Sequence, residues 1–138
     1  MTESSIRLPR RLVNEILHLG QLAPEQTITA LLGARDGVPR SCHPVPNTAT
    51  PDHCYALAPQ ARDAAVQAIT AQGETVFAVL ISHPAAPAEP SAAELDSRDL
   101  PGALRLIISL DTKGVLELRG FRLDKHRTAQ EIPLLLTE

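Results

Sequence analysis

The segment from Ser82 to Glu94 holds the side chains of this sequence that could do chemistry together. His83-Pro84 follows an apolar run, Ser91 follows His83 by eight residues, and Glu94 lies three further on. An imidazole at a strand end either ligates a metal or is held by hydrogen bonds, and one histidine rarely suffices for zinc. Ser91-x-x-Glu94 also has the spacing of a capping box, in which each side chain accepts a hydrogen bond from a backbone N–H at a helix start. The residues alone leave both roles open.

The elements that position this segment are predicted from periodicity. The apolar, β-rich run from Thr75 to Ser82 predicts a central strand buried on both faces. Strand Thr27 to Ala34 and the Asp36-Gly37 turn predict a hairpin. Its return strand, Val38 to Val45, contains prolines that favour a sheet edge. The remaining predicted elements are helices from Pro9 to Gly20, Pro59 to Gln72 (ended by Gly73) and Ser91 to Arg98, and strands at His53–Leu57, Leu104–Leu110, Val115–Leu123 (after a Lys113-Gly114 turn) and Glu131–Leu136. Interleaved helices and strands with hairpin-like connections indicate an α/β (α+β) fold, with a mixed or largely antiparallel sheet flanked by helices.

A second group of metal-binding residue types lies in the proline-rich stretch after the hairpin. It consists of Cys42, His43, His53 and Cys54. Their spacing matches no zinc pattern, and reduced, inert thiols are the expectation for both cysteines. The run Leu134–Leu136 is an apolar strand end, which we expect to belong to the core.

Length and composition limit the number of domains and the classes of function. The 138 residues correspond to a single domain over residues 1–138. A net charge of −3 and an aromatic content of 2% argue against nucleic-acid binding, which needs a basic face. No apolar run approaches the ~20 residues of a membrane span. The first residues lack the basic and apolar regions of a signal peptide, so a cytoplasmic location is expected.

The segment around His83 resembles the JAMM (MPN-plus) zinc metallopeptidases, in particular their short bacterial branch. Their signature is His-x-His-Pro, followed by a serine and then an aspartate, with an upstream glutamate before a Leu-Leu-Gly strand. The likeness extends over nearly the whole chain, from Pro24–Gly33 through the Val45-Pro46-Asn47 turn to Leu116–Leu123. It implies a JAMM/MPN-like, cytidine-deaminase-like mixed sheet flanked by helices.

The resemblance also implies a zinc site. In the family two histidines and the aspartate hold zinc, the glutamate is the general base on the bound water, and the serine stabilises the oxyanion. In this sequence the first histidine falls on Ile81, the second on His83 with Ser82 between them, the serine on Ser91, the aspartate on Glu94, and the glutamate on Gln26, next to Glu25.

Two of these positions have lost the chemistry that the family needs. Ile81 has no lone pair for a metal, and the amide of Gln26 cannot take a proton from water. At most His83 and Glu94 remain as ligands, whereas catalytic zinc sites use three protein ligands. We therefore expect no bound metal, no other cofactor and no ordinary peptidase activity. Glu25 is the one candidate for a substitute base.

The resemblance implies three competing functions. The first is a catalytically inactive pseudoenzyme that binds the tail of a ubiquitin-like sulfur-carrier protein or a JAMM partner, or that pairs with a second copy of itself. The second is a divergent zinc metallopeptidase of the isopeptidase type. It would process the C-terminus of such a carrier, with zinc on His83, Glu94 and a third group. The third is a structural protein whose pocket is filled by apolar side chains, which Ile81 favours.

Overall fold

The computed structural model describes residues 5–22, 27–46, 57–83, 88–90, 103–110, 117–123 and 128–137. Their elements are β1 (Ile6–Pro9), α1 (Arg10–Leu22), β2 (Thr29–Arg35), β3 (Val38–Pro44), α2 (Pro59–Ala71), β4 (Thr75–His83), β5 (Leu104–Ser109), β6 (Glu117–Leu123), β7 (Ala129–Ile132) and β8 (Leu134–Thr137). Neither described helix is long and apolar enough to cross a membrane.

The main sheet has six strands in the order β3-β2-β4-β5-β6-β7. Strands β4 and β5 are parallel, and the other neighbouring pairs are antiparallel. A second, two-stranded sheet pairs β1 with β8 in parallel. The predicted mixed, largely antiparallel α+β fold is confirmed.

Strand β4 is buried on both faces, as its apolar run predicts. Ala78 and Leu80 contribute to a core with residues of α1, and we call this side of the sheet the α1 face. Val79 and Ile81 point the other way, into a core with Ala65 and Ile69 of α2, which we call the α2 face. Because side chains alternate along a strand, His83 shares the α2 face with Ile81.

The hairpin and the second helix also follow the sequence. Asp36 and Gly37 both have positive φ, as a two-residue turn of the hairpin type requires. The return strand β3 lies at the edge of the sheet, where its prolines need not donate to a neighbouring strand. Helix α2 begins at Pro59 and ends at Ala71, and Gly73 follows with a φ of 77°.

Two sequence predictions at the ends of the chain are wrong. Pro9 is not the first helical residue: it ends strand β1, and the helix begins at Arg10 and continues through Gly20. The predicted final strand, Glu131 to Leu136, is two strands in two different sheets, divided at Pro133. A proline has no N–H to continue a ladder, so the chain changes partner there.

The expectation that Leu134–Leu136 belongs to the core is also wrong. Leu135 is 51% exposed and Leu136 is 50% exposed, while Leu134 is half-buried. Three further predictions, the helix from Ser91, the Lys113-Gly114 turn and the strand at His53, lie outside the described residues, apart from Leu57 at the end of that strand.

The two-stranded sheet packs on the main sheet at Gly120 of β6. A Cβ at this position would lie 2.9 Å from Ile6 Cδ1, 3.0 Å from Leu134 Cδ2 and 3.1 Å from Leu106 Cδ2. These distances are shorter than ordinary carbon contacts. The absence of a side chain therefore lets β1 and β8 approach the sheet.

Cys42 is expected to be nearly inert in the folded protein. Burial, followed by the negative charge of Glu15, raises the pKa of its thiol to about 12. The reactive species is the thiolate, so at pH 8 alkylation of Cys42 should be about a thousandfold slower than that of an unperturbed thiol. Iodoacetamide labelling with mass spectrometry of the Cys42 peptide measures this rate, and the urea-unfolded chain is the control. Complete labelling of the native chain within minutes would contradict it.

Candidate functional site

The candidate site is built on the end of β4, where Ile81 and His83 point to the α2 face. Ile81 pairs with Thr29 of β2 on one side and with Ile107 of β5 on the other. Its side chain is fully buried, in the cluster that includes Val79, Leu31 and Ile69. Position 81 is therefore an interior packing position.

His83 is the last residue of β4 and is also buried, with 4% exposure. Its strand partner on β5 is Ser109, which is 1% exposed, and its carbonyl accepts a hydrogen bond from Leu110 N at 3.0 Å. The imidazole thus lies at the end of the parallel pair, on the same face as Ile81. This is the geometry that a strand ending in His-x-His would give.

Ser82 lies between these two residues and points to the opposite face. Its hydroxyl accepts a hydrogen bond from Ile28 N at 2.6 Å, and its own N–H donates to Ile28 O at 2.9 Å. These two bonds fasten the segment that leads into β2 to the end of β4. Gln26 lies only two residues before Ile28 in the sequence. Sequence reasoning included Ser82 only as the residue between the two histidine positions and did not predict this anchoring role.

Replacing Ser82 with alanine is expected to lower the free energy of unfolding by about 1–3 kcal/mol. The substitution leaves the Ile28 N–H without its acceptor at a part-buried position, and the cost of an unsatisfied group is of this size. Urea denaturation measures it. The control is Thr70→Ala, which removes an exposed hydroxyl bonded to Val66 O and should change stability by less than about 0.5 kcal/mol. Equal effects of the two substitutions would refute the anchoring role.

A bend at residues 88–90 lies against the α2 face, in the stretch between His83 and Ser91. Ala88 is fully buried against Ile107 and Phe121. Since Ile107 is the strand partner of Ile81, this contact places the bend next to the candidate site.

Arg119 of β6 holds the same bend from the side. Its guanidinium makes a two-bond contact with Glu131 of β7, with Nε donating to Oε2 at 2.9 Å and Nη2 donating to Oε1. It also lies 3.6 Å from Glu89 Oε1 and stacks over the Phe121 ring at 5.5 Å. The hydrogen bond from Arg119 lowers the pKa of Glu131. The resulting stabilisation is present above the ordinary pKa of a glutamate and is lost as the pH falls through the lowered value. It is small because Glu131 is exposed and Arg119 is only half-buried.

Arg105 is the buried charged residue of the α2 face. It is 1% exposed, and its Nη1 donates to Ala103 O at 2.9 Å. Its strand partners are Val79 and Phe121, which lie one side-chain row away from Ile81 and Ile107. One row corresponds to about 7 Å along a strand. A fixed positive charge therefore lies close to position 81.

The comparisons with known proteins concern the fold. No protein-family model and no curated protein matches the chain. A solved protein from Desulfitobacterium hafniense is 26% identical, with a TM-score of 0.79 over 96% of this chain and 92% of that one. A protein from Salinibacter ruber is also 26% identical, with a TM-score of 0.66 over 95% and 92%.

Two further solved structures carry a family description. One, described as a JAMM metalloprotease-like zinc site in the proteasome and signalosome, is 17% identical with a TM-score of 0.59 over 97% of this chain and 99% of that one. The other, a JAB1/MPN domain protein from Archaeoglobus fulgidus, is 18% identical with a TM-score of 0.62 over 99% and 100%. The chain has the JAMM/MPN fold. The resemblance seen in the sequence is confirmed at the level of the fold.

Among the described residues, the two β4 positions of the JAMM/MPN site offer one zinc ligand between them, which does not fit a zinc ion. Of the two histidine positions, His83 offers a nitrogen and Ile81 offers only hydrocarbon. In the parts of the chain that the structure describes, no three His, Cys, Asp or Glu side chains come together as a metal site would require.

The other predicted site residues of the JAMM/MPN fold are Glu25, Gln26, Ser91 and Glu94, and all four lie outside the described residues. For the second predicted group, Cys42 and His43 are neighbours on β3 and therefore point to opposite faces, which prevents them from ligating one ion. His43 Nε2 lies 3.0 Å from Ser41 Oγ, which donates to Glu74 Oε1 at 2.6 Å. His53 and Cys54 lie outside the described residues.

Proposed function

We propose that this chain is a catalytically inactive JAMM-fold protein that binds the C-terminal tail of a ubiquitin-like sulfur-carrier protein, or a JAMM-family partner. The observation that carries the proposal is Ile81. It occupies the first zinc-ligand position and is fully buried in the apolar cluster of the α2 face. Without this ligand, His83 and Glu94 are too few to hold a catalytic zinc. The protein accordingly binds no zinc and no other cofactor in its ordinary state.

The framework around the disabled site supports a binding role. The end of β4 keeps its histidine, Ser82 fastens the segment leading to β2, and Arg119 holds the bend beside Ile107. With these three features in place, the region around the former zinc site provides a preformed surface for an extended tail. A tail can add to the edge of a sheet through backbone hydrogen bonds, and β3 and β7 are the outer strands of the main sheet. Pairing with a second copy of the chain would use the same kind of edge.

Two measurements on the full chain test the proposal. Calorimetric titration with a ubiquitin-like sulfur carrier that ends in its unprocessed tail should show binding that EDTA leaves unchanged, and the carrier without its tail is the control. Mass spectrometry of the same mixture should show an intact carrier after prolonged incubation. Capture of a JAMM-family protein, in place of the carrier, would support the partner arm of the proposal. Binding of neither protein would refute it.

The alternative is a divergent zinc isopeptidase that uses His83, Glu94 and a third ligand, with Glu25 as base. Burial of His83 at the strand end is the observation that favours it. Removal of the carrier's tail by the purified chain, abolished by EDTA and restored by zinc, would establish this alternative and overturn the inactive-protein proposal.

A further inference from the structure

Two adjoining depressions lie between β1 and the first residues of β3, and they share Val38 in their walls. The larger, of about 360 Å³, is lined by Arg11 of α1, Arg40 of β3 and Thr137 of β8, among others. The smaller, of about 230 Å³, has Arg7 of β1 and Asp36 of the hairpin turn in its walls. We call the two together the β1–β3 furrow. Its walls come from elements that pack on the α1 face, so it is distinct from the candidate site on the α2 face.

The furrow is positively charged in a chain whose net charge is −3. The side chains of Arg7, Arg11 and Arg40 are exposed, and none makes an ion pair or hydrogen bond with another described residue. Asp36 is the acidic residue among the described side chains that line the furrow. Among the described side chains of the lining, three arginines against one aspartate give the furrow a local positive charge.

One exposed leucine of β8, Leu135, lies beside Arg7. Leu135 is the strand partner of Arg7, and in a parallel pair such partners share a face of the sheet. Thr137, which lines the furrow, is two residues further along the same face. Leu135 is about half exposed, whereas Leu136 is the partner of the buried Leu8 and points to the other face. Within the described strands, β8 pairs with β1 alone, so its other edge is open.

We propose that the β1–β3 furrow and the adjacent face of β8 bind an extended acidic peptide that also carries apolar residues. Carboxylates would pair with Arg7, Arg11 and Arg40, while an apolar side chain covers Leu135. Both residue types are needed because Arg7 and Leu135 lie side by side on one face of the strand pair. The proposal goes beyond the proposed function and does not depend on it.

Charge complementarity selects this occupant over others. A second copy docked through the same face would bring its arginines against those of the first, and like charges in an interface are unfavourable. Inorganic phosphate would satisfy the arginines but leave Leu135 in water. A membrane surface is broad and flat, whereas two of the arginines line a concave depression between β1 and β3. An acidic, extended chain satisfies both the charge and the shape.

The test is fluorescence anisotropy of three labelled octapeptides titrated with the full chain at low salt. They combine leucine with glutamate, with glutamine or with lysine, arranged in pairs of each type so that both types reach one face of an extended chain. The glutamate peptide should bind, the glutamine peptide should bind at least about tenfold more weakly, and the lysine peptide should not bind. Raising the salt to 0.3 M should weaken binding of the glutamate peptide severalfold, because exposed charge pairs are screened.

Three variants locate the binding face. The double substitution Arg11→Gln/Arg40→Gln should weaken binding of the glutamate peptide about tenfold, and Leu135→Ser should weaken it severalfold. Arg62→Gln is the matched control: Arg62 is on α2, away from the furrow, and it pairs with Asp63. It should leave binding unchanged. Circular dichroism checks that each variant is folded.

Four results would overturn the proposal. The first is equal binding of all three peptides, and the second is the absence of any binding. The third is an unchanged affinity in the Arg11→Gln/Arg40→Gln variant. The fourth is that inorganic phosphate, phosphatidylglycerol vesicles or a second copy of the chain binds more tightly than the glutamate peptide, and that this binding is lost in the same variant. Light scattering measures the binding of a second copy.

Discussion

The triple substitution Ile81→His, Gln26→Glu and Glu94→Asp is expected to raise the bound zinc from near zero to about one ion per chain. It restores the two-histidine, one-aspartate ligand set together with His83, and it restores the base. The strand geometry favours the result because positions 81 and 83 already point to one face of β4. Metal content by mass spectrometry, on protein purified without a histidine tag, measures it.

Stability gives a second readout of the same substitution. Ile81→His alone buries an imidazole in an apolar cluster and should lower the free energy of unfolding by about 2–4 kcal/mol. In the triple variant, zinc at a thousand times its Kd should return about 4 kcal/mol, and the parent chain should gain nothing. His83→Ala added to the triple variant is the control and should abolish uptake. A folded triple variant that takes up no zinc would show that the site has closed, and zinc in the parent chain would refute the loss of the metal.

Replacing Gly120 with valine is expected to lower the free energy of unfolding by about 2–3 kcal/mol. Even a Cβ here would lie within 3.1 Å of the side-chain ends of Ile6, Leu134 and Leu106, so the two γ-carbons of valine force these core side chains to repack. Valine is otherwise the better strand residue, so a loss of stability can only come from crowding. Urea denaturation measures the change.

The matched control is Gly20→Ala in α1. A Cβ at Gly20 would lie 3.6 Å from Ile108 Cδ1, which is an ordinary contact. Alanine is also the better helix former, so this substitution should raise stability by about 0.5–1 kcal/mol. An unchanged unfolding midpoint for Gly120→Val would mean that the two-stranded sheet adjusts without cost.

Local patterns predicted the elements that are themselves local. The apolar run of β4, the Asp36-Gly37 turn and the glycine after α2 each act within a few residues, so the sequence contains their signals. Strand β1 was missed because it is four residues long and its only described partner is β8, at the far end of the chain. No local pattern specifies such a parallel pairing. Pro133 could be predicted to disfavour an inner strand. That it divides two sheets could not be predicted, because the partner of β8 lies at the other end of the chain.

The candidate site was predicted in part. The two-residue period of a strand predicts that Ile81 and His83 point to one face, and both lie on β4 at that spacing in the structure. The anchoring role of Ser82 was missed, although a serine near the end of an otherwise apolar run was its signal. Arg105 and Arg119 could not be predicted, because their positions beside the site depend on how β5 and β6 are ordered in the sheet.

The parallel pairing of β1 with β8 has a consequence for how the molecule folds. Ile6 meets Leu134 only after nearly the whole intervening chain has been brought together, and such long-range pairings carry a large loop-closure cost. We therefore expect the two-stranded sheet, and with it the β1–β3 furrow, to form late in folding. A partner that binds there distinguishes a completed chain from every species that precedes it.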